Sequence, residues 1–268
     1  MGLGPRKKRP PVAEHEGAGM GDTIEKHQAA WNAKPALRAV YRSDIFRQLA
    51  EQMLPGPTLE IGAGPGLLKA ELPHIISSDI VPLPHLDLAC DAHLLPFPDG
   101  SLRNVVGVDV VHHFYEPQRM LAESVRVLAP GGRIVLSEPW ITPVSRLVYR
   151  HFHHEGCEHV DDPLACAFPD GEACKDPWIG NAMIPYLLFG RSGRNFLRRR
   201  FPELRLALCR PGSALAYPLT RGFQPAGIRS EQVIRIVMGL EKMLSPLLLP
   251  LMAFRALIVL EKTGPGGR

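Results

Sequence analysis

Residues 59–68 read Leu59-Glu60-Ile61-Gly62-Ala63-Gly64-Pro65-Gly66-Leu67-Leu68, a short apolar run that enters a glycine-rich turn before a helical pattern begins. Glycines in such a turn let the backbone bend sharply and approach a ligand closely, because no Cβ stands in the way. A helix that follows the turn presents unpaired N–H groups at its N-terminus. The stretch therefore predicts a strand, a ligand-binding turn and a helix.

The spacing of this glycine turn is G-x-G-x-G, which departs from the dinucleotide fingerprint G-x-G-x-x-G. That fingerprint needs a small residue at position 67, where this chain has Leu67. Pro65 also lacks an N–H group that a pyrophosphate would use. The turn therefore favours a nucleoside without a diphosphate over the dinucleotide of an oxidoreductase.

Around the turn, short apolar runs alternate with helical segments, which is typical of a parallel sheet wrapped by helices. Before the turn, apolar spacings of three and four predict one or two helices within residues 22–53. After it, Pro117–Leu128 carries an apolar helical face, and the turn residues Pro130-Gly131-Gly132 follow. A βαβ crossover is therefore expected there. The predicted strands cover residues 58–61, 74–78, 86–88, 104–108, 133–138 and 253–260.

Carboxylates follow the second and third apolar runs. Asp79 lies 17 residues after Gly62, where a carboxylate at a strand end can accept both hydroxyls of a ribose. Asp91 can accept an adenine amino proton while the N–H of Ala92 donates to the ring. The pattern is completed by Leu95-Pro96-Phe97-Pro98-Asp99-Gly100-Ser101, the strand over 104–108, and Asp109-Val110-Val111-His112-His113.

These motifs together resemble the class I S-adenosylmethionine-dependent methyltransferases, in particular the type 11 methyltransferase-like group. Its cores run from a glycine turn through Asp, D-A-x-x-L-P-F-x-D-x-S, a strand, H-H and a helix to P-G-G. The resemblance covers about residues 56–140 and a final strand at 253–262. It implies an α/β, Rossmann-like, doubly wound and mostly parallel seven-stranded sheet with helices on both faces. N-terminal helices and an inserted cap region are expected beside that sheet.

The resemblance implies S-adenosylmethionine as the cofactor and assigns the residues that hold it. The expected contacts are Glu60, Gly62, Ala63, Gly64 and Gly66 for the methionine end, Asp79 and Ile80 for the ribose, Asp91 and Ala92 for the adenine, and Asp109 where the fourth strand opens into the active site.

His112, His113 and Asp109 are the candidate catalytic residues. A hydroxyl or protonated amine that accepts a methyl group must lose a proton, and a histidine is the natural base near neutral pH. Both histidines follow the fourth strand, at the edge where ligands bind in such sheets. The alternative is that the histidine pair only packs or begins a helix.

Composition and charge limit the classes of protein to which the chain can belong. With 45% hydrophobic and 22% charged residues in 268, the chain has the composition of a globular protein. Its net charge is +4, and the run Arg6–Arg9 accounts for all four units, so a nucleic-acid partner is not expected. Five widely spaced cysteines, without a signal-peptide pattern, favour a reducing cytoplasm.

The predicted organisation has five parts: a basic tail over residues 1–21, the N-terminal helices and cofactor-binding core over 22–140, an insertion or substrate cap over 141–230, a C-terminal helix and last strand over 231–263, and a tail over 264–268.

The insertion has opposite charges in its two halves. Residues 151–176 hold seven acidic residues and one lysine, and residues 191–210 hold seven arginines and one acidic residue. The halves can pair or be solvated, or the arginines can grip an anionic acceptor or a lipid headgroup. The acidic half also contains His151, His153, His154, Cys157, His159, Cys166 and Cys174. Their spacing matches no common zinc arrangement, so no metal is expected.

Val233–Leu251 is strongly apolar, yet charged residues and prolines interrupt it, so it does not predict a transmembrane helix. It is expected to pack on the core, with peripheral membrane contact as the alternative. The function that the sequence favours is methyl transfer to a small molecule, with an anionic or lipid-linked acceptor among the candidates. A catalytically silent binding protein of the same fold is the alternative, and the oligomeric state stays open.

Overall fold

The computed structural model of the protein describes residues 18–152, 156–166 and 179–264. Most of the predicted tail over 1–21, the tail after Gly264 and part of the predicted insertion lie outside these residues. The first helix begins at Ala18, four residues before the predicted start, because extending a helix costs far less than nucleating one.

Seven strands form a single sheet within the described residues. They are β1 (Thr58–Glu60), β2 (Ile76–Asp79), β3 (Leu88–Ala89), β4 (Leu102–Val108), β5 (Leu128–Pro139), β6 (Leu204–Gly212) and β7 (Arg255–Lys262). Their order is β3-β2-β1-β4-β5-β7-β6. The first five are parallel, and β7 is antiparallel to both β5 and β6. The predicted mostly parallel, seven-stranded α/β sheet is confirmed.

Helices precede β1 and occupy several of the connections between the strands. They are α1 (Ala18–Ala33), α2 (Pro35–Val40), α3 (Arg47–Gln52), α4 (Leu67–Glu71), α5 (Pro117–Val127), α6 (Pro143–Phe152), α7 (Ile184–Phe189), α8 (Gly193–Arg200), α9 (Ala216–Thr220) and α10 (Glu231–Met252). A π-helical segment, Tyr41–Phe46, joins α2 to α3, and a 3₁₀ turn, Val111–His113, follows β4.

Both faces of the sheet are buried, because neighbouring residues of a strand point to opposite faces and helices cover each face. On one face Val105 and Ile134 pack in a cluster that includes α5, α7 and α8. On the other face Val106 and Val135 pack against α2, the π-helical segment and α3. The continuous apolar strands of the sequence follow from this two-sided burial.

Strand β6 corrects the predicted insertion over 141–230. Residues 204–212 are not part of a cap, since they form the edge strand of the central sheet next to β7. Leu204 and Leu206 pack on one face of the sheet and alternate with exposed Arg205 and Ala207. A bulge between Leu206 and Leu208 then turns Leu208 to the opposite face, so the strand has no continuous period of two in its sequence.

Lys34 fastens the N-terminal helices to the loop after α9. It lies between α1 and α2 and is 1% exposed. Its Nζ donates to the carbonyl oxygens of Thr220 (2.6 Å), Gly222 (2.7 Å), Gln224 (2.8 Å) and Ala226 (3.0 Å). A buried ammonium and four carbonyls thus satisfy one another, which is the condition under which a buried charge is tolerated.

We predict that Lys34→Met lowers the free energy of unfolding by about 2–4 kcal/mol, because buried carbonyls then lose their donor. Lys26→Met is the matched control, since Lys26 is exposed on the preceding helix. Urea unfolding followed by circular dichroism measures both variants. Equal stability of the two variants would contradict the structural role assigned to Lys34.

Candidate cofactor and active site

The glycine turn after β1 has the backbone conformation that its sequence predicts. Gly62, Gly64 and Gly66 have φ angles of +63°, +48° and +72°, a region that other residues rarely adopt. A Cβ on Gly62 would lie 2.3 Å from Cγ2 of Val110, whereas a Cβ on Gly64 would meet no atom within 4 Å. The turn therefore packs tightly on one side and leaves open space for a ligand beside Gly64.

Three N–H groups of the turn are already engaged within the protein. Ala63 and Gly66 donate to backbone carbonyls, and Gly64 donates to Oδ2 of Asp79 at 2.9 Å. Pro65 has no N–H group to offer. These engaged donors do not form a phosphate cradle, in agreement with the sequence argument for a nucleoside without a diphosphate.

Glu60, the last residue of β1, is buried beside the turn with one carboxylate oxygen unsatisfied. It is 3% exposed, and its Oε2 has no hydrogen-bond partner in the described part of the chain. Burial raises the pKa of Glu60 to about 8, and the nearby charge of Asp79 raises it further against the opposing effect of Lys69. A cationic hydrogen-bond donor would satisfy this carboxyl group, so Glu60 fits the amino group at the methionine end of the expected cofactor.

Asp79 links the glycine turn to the end of β2. Besides the bond from Gly64, its Oδ1 accepts from the N–H of Val81 at 3.0 Å. Ile80, beside it, exposes 51% of its surface despite its apolar side chain. A carboxylate with an exposed apolar neighbour suits a sugar with an attached base. The ribose assignment of Asp79 and Ile80 stays a prediction.

Asp91 and Ala92 follow β3, at the same edge of the sheet. Asp91 Oδ1 accepts from both the N–H and Nδ1 of His93, at 2.9 and 2.7 Å, and Ala92 is buried. The ring of His93 in turn makes an edge contact with Phe114. The predicted adenine contacts therefore lie in an ordered loop, and their role stays a prediction.

His85 is a residue of this site that the sequence analysis missed. Its Nε2 lies 2.9 Å from the carbonyl oxygen of Gly64, and a Cβ on Gly66 would be 2.9 Å from its ring. The ring therefore lies against the glycine turn. No motif marks position 85, because only the fold of the loop between β2 and β3 brings it there.

Asp109 is held in a bidentate ion pair with Arg255, the first residue of β7. Arg255 Nη1 and Nη2 lie 2.9 and 2.8 Å from the two carboxylate oxygens, and Arg255 is 3% exposed. The same guanidinium donates to the carbonyl of Ser137 and lies 5.0 Å from the ring centroid of Tyr217. Asp109 also has a φ of +53°. This pairing favours a positioning role for Asp109 over that of a base. Its cofactor contact stays a prediction.

His112 is buried, and its ring is hydrogen-bonded to Glu138 of β5. Its Nδ1 lies 2.8 Å from Oε2 of Glu138, and the two side chains are 1% and 0% exposed. The other oxygen of Glu138 accepts the N–H groups of Val110 and Val111, at 2.9 Å each. This arrangement favours the packing alternative for His112, whose catalytic role stays a prediction.

His113 lies beside His112, and residues Gly180 and Asn181 pack against the pair. The two rings have centroids 4.1 Å apart. A Cβ on Gly180 would be within 3 Å of both rings, and the N–H of Asn181 donates to the carbonyl of His112. His113 is half-buried, so it is the better placed of the two to meet an acceptor.

The charged halves of the predicted insertion are described only in part. His153, His154 and Cys174 of the histidine and cysteine group lie outside the described residues, and within those residues no group of three or more such side chains could hold a metal ion. Two of the arginines contact the core: Arg205 pairs with Glu261 at 3.1 Å, and Arg200 donates to Gln118.

Comparison with known proteins finds a family match that begins at β1 and ends within β5. Residues 59–136 match the family described as "Methyltransferase domain". A demethylmenaquinone methyltransferase of Thermus thermophilus is 32% identical over 111 residues, covering 34% of this chain and 50% of that protein. The human protein named probable tRNA methyltransferase 9B is 29% identical over 137 residues, covering 41% of this chain and 30% of that protein. The chain spans half or less of the length of these relatives.

A solved structure shows the same fold along nearly the whole chain. An S-adenosylmethionine-dependent methyltransferase from Thermotoga maritima aligns with a TM-score of 0.51 at 13% identity, covering 93% of this chain and 99% of that one. This likeness confirms the fold class that the sequence predicts.

We predict that the affinity for S-adenosylmethionine rises with pH by up to about tenfold per unit between pH 6 and 8. Glu60 is mostly protonated below its pKa of about 8, and it must lose that proton to pair with the ammonium group of the ligand. Binding at pH 7 should therefore release a proton, which calorimetry in buffers of different ionisation enthalpy detects.

Glu60→Gln should remove this proton release, while Glu71→Gln, on the exposed pair with Arg42, should preserve it. An unchanged proton release in Glu60→Gln would exclude Glu60 from the cofactor contact.

Proposed function

We propose that this chain, whose residues 59–136 match the family described as "Methyltransferase domain", transfers a methyl group from S-adenosylmethionine to a small molecule. The observation that supports this most is the joint placement of an open glycine turn, the unsatisfied Glu60 carboxyl group and Asp79 at one sheet edge. Ligands of doubly wound sheets bind at the carboxyl ends of the strands, where these groups lie.

The residues of the edge suit the parts of this cofactor in order. Glu60 would pair with the amino group of the methionine end, and the open side of Gly64 would let that end approach the backbone. Asp79 would accept the ribose hydroxyls, and Asp91 with the N–H of Ala92 would meet the adenine. S-adenosylmethionine, when bound, supplies a methyl group on a sulfonium that is already a good leaving group.

The protein's own contribution is positioning, because in-line displacement from a good leaving group needs alignment more than covalent catalysis. The Asp109–Arg255 ion pair fixes the loop after β4, and Glu138 fixes the 3₁₀ turn that follows. His113, whose ring lies at a tilt against that of the anchored His112, is our candidate to take the proton from the acceptor.

A small-molecule acceptor is favoured over a nucleic acid on the basis of charge. The net charge of +4 is carried by Arg6–Arg9, ahead of the folded core. Nucleic-acid binding needs many cations on one surface, and Arg205 of the basic segment already pairs with Glu261 of β7. An anionic or lipid-linked small molecule remains within the proposal. A methyl-transfer assay with candidate acceptors of each kind identifies the acceptor.

Calorimetric titration with S-adenosylmethionine, S-adenosylhomocysteine and NAD tests the cofactor assignment. We expect micromolar binding of the first two and none of NAD, because the turn lacks a diphosphate cradle. Absence of binding by all three would favour a catalytically silent protein of the same fold.

We predict that Gly64→Ala and Asp79→Ala each weaken S-adenosylmethionine binding by at least about tenfold, or 1.4 kcal/mol. A Cβ on Gly64 would project into the open space that the ligand needs, and Asp79→Ala removes the proposed ribose acceptor. The same calorimetric titration measures both variants.

Matched controls separate the ligand contact from backbone strain. Gly131→Ala places an alanine at a comparable φ of +74° in open space outside the site. Asp162→Ala removes another carboxylate that accepts backbone N–H groups, those of Leu164 and Ala165. Both controls should retain the wild-type affinity. Equal weakening in a control and its partner variant would remove that partner from the binding site.

A further inference from the structure

Helix α10 is anchored to the core along one face. Ile234 and Glu241 are its buried residues. The Glu241 carboxylate accepts the N–H groups of Ala214, Leu215 and Ala216 at 2.7–2.9 Å, which satisfies backbone donors at the start of α9. These bonds fix the rotation of α10 about its axis and therefore decide which side chains face outward.

The outward face of α10 is apolar over most of its length. Its exposed large apolar side chains are Val233, Ile236, Leu240, Met243, Leu244, Leu247 and Leu251. Their spacings of three and four place them on one stripe, roughly 27 Å long at 1.5 Å per residue. Met243 and Leu247 expose 69% and 72% of their surface, although both side chains are apolar. A contiguous apolar stripe of this size marks an interaction surface.

Helix α6 packs against α10 and carries exposed apolar side chains of its own. Val144 and Leu147 are exposed on α6, and Arg146 and Arg150 are exposed beside them. We call the α10 stripe with these α6 side chains the apolar surface. Arg146 and Arg150 also line a cavity of about 340 Å³, whose other titratable residues are Tyr149, Cys157, Glu158 and His159.

The charges around the apolar surface are mainly positive. Arg146, Arg150 and Lys242 are exposed, and Arg235 pairs with Glu231 at 2.7 Å. An isologous contact between two copies would bring these cations toward one another, which disfavours a second copy as the occupant. Anionic lipid headgroups complement them, and arginine forks suit phosphate.

The geometry of α10 suits a helix that lies on a bilayer. None of the helices within 18–152, 156–166 and 179–264 combines the length and apolarity needed to cross a membrane. An amphipathic helix in the interface buries its apolar face, while flanking Lys and Arg extend toward the headgroups. The sequence also places the basic run Arg6–Arg9 ahead of α1, and such runs are attracted to anionic membranes.

We propose that the apolar surface of α10 and α6 docks this protein on an anionic lipid bilayer, with α10 in the plane of the interface and Arg146 and Arg150 toward the headgroup phosphates. This docking is independent of the proposed methyl transfer. It would operate with or without bound cofactor.

Co-sedimentation of the full chain with vesicles tests the proposal. Vesicles of phosphatidylcholine alone are compared with vesicles that also contain phosphatidylglycerol. We expect binding to the anionic vesicles and at least about tenfold weaker binding to the neutral ones, since surface cations and apolar insertion act together. Absence of binding to the anionic vesicles would overturn the proposal.

Variants on and outside the apolar surface show whether this surface carries the binding. Met243→Ser with Leu247→Ser should weaken binding to anionic vesicles by at least about tenfold, because two inserted apolar side chains are lost. Leu94→Ser with Leu219→Ser is the control, since both leucines are exposed outside the apolar surface. Unchanged vesicle binding by the α10 variant would exclude this surface.

Two further measurements separate the remaining outcomes. Light scattering measures the oligomeric state of the wild type and of the α10 variant. A dimeric wild type, a monomeric α10 variant and no vesicle binding by either would overturn the proposal. The α10 variant should keep its stability in urea and its affinity for S-adenosylmethionine, so failed docking is distinguishable from failed folding and from a wrong cofactor assignment.

Discussion

The N–H of Gly64 donates to the carboxylate of Asp79, and this hydrogen bond joins the turn after β1 to the end of β2. It depends on the parallel pairing of β1 with β2 and on a left-handed backbone at Gly64. Because this bond holds the turn against the end of β2, the open side of the turn lies next to the ends of the strands. Glu60, at the end of β1, then faces the same edge with an unsatisfied oxygen. The candidate cofactor site follows from this local geometry.

Buried charged side chains hold several loops in place. Glu138 accepts two backbone N–H groups and contacts His112, and Arg255 pairs with Asp109. Lys34 donates to carbonyl oxygens of residues 220–226. Removing one partner of a buried charged pair typically costs about 3–5 kcal/mol, whereas exposed pairs contribute little. The Glu138 and Arg255 groups therefore order the loop and the 3₁₀ turn after β4 more strongly than the surface ion pairs order the rest.

Local patterns in the sequence predicted the parallel core, because each strand there is a short apolar run ended by glycine, proline or aspartate. The predicted runs overlap β1 to β5 and β7, and the glycine turn has the expected conformation. Edge strand β6 was missed because it is rich in arginine and because a bulge between Leu206 and Leu208 interrupts its period of two. Arg255, Lys34 and His85 act on residues distant in sequence, so only the folded chain reveals their contacts. The roles of Asp79, Asp91 and the histidines depend on a ligand, and they remain predictions.

The central claim is that the edge formed by β1, β2 and β3 binds S-adenosylmethionine. A crystal structure of the protein with S-adenosylhomocysteine tests it most directly. We expect the amino group of the ligand within hydrogen-bond distance of Glu60, the ribose hydroxyls at Asp79, and the adenine at Asp91 and Ala92. A ligand bound elsewhere, with the Glu60 carboxyl still unsatisfied, would contradict the account.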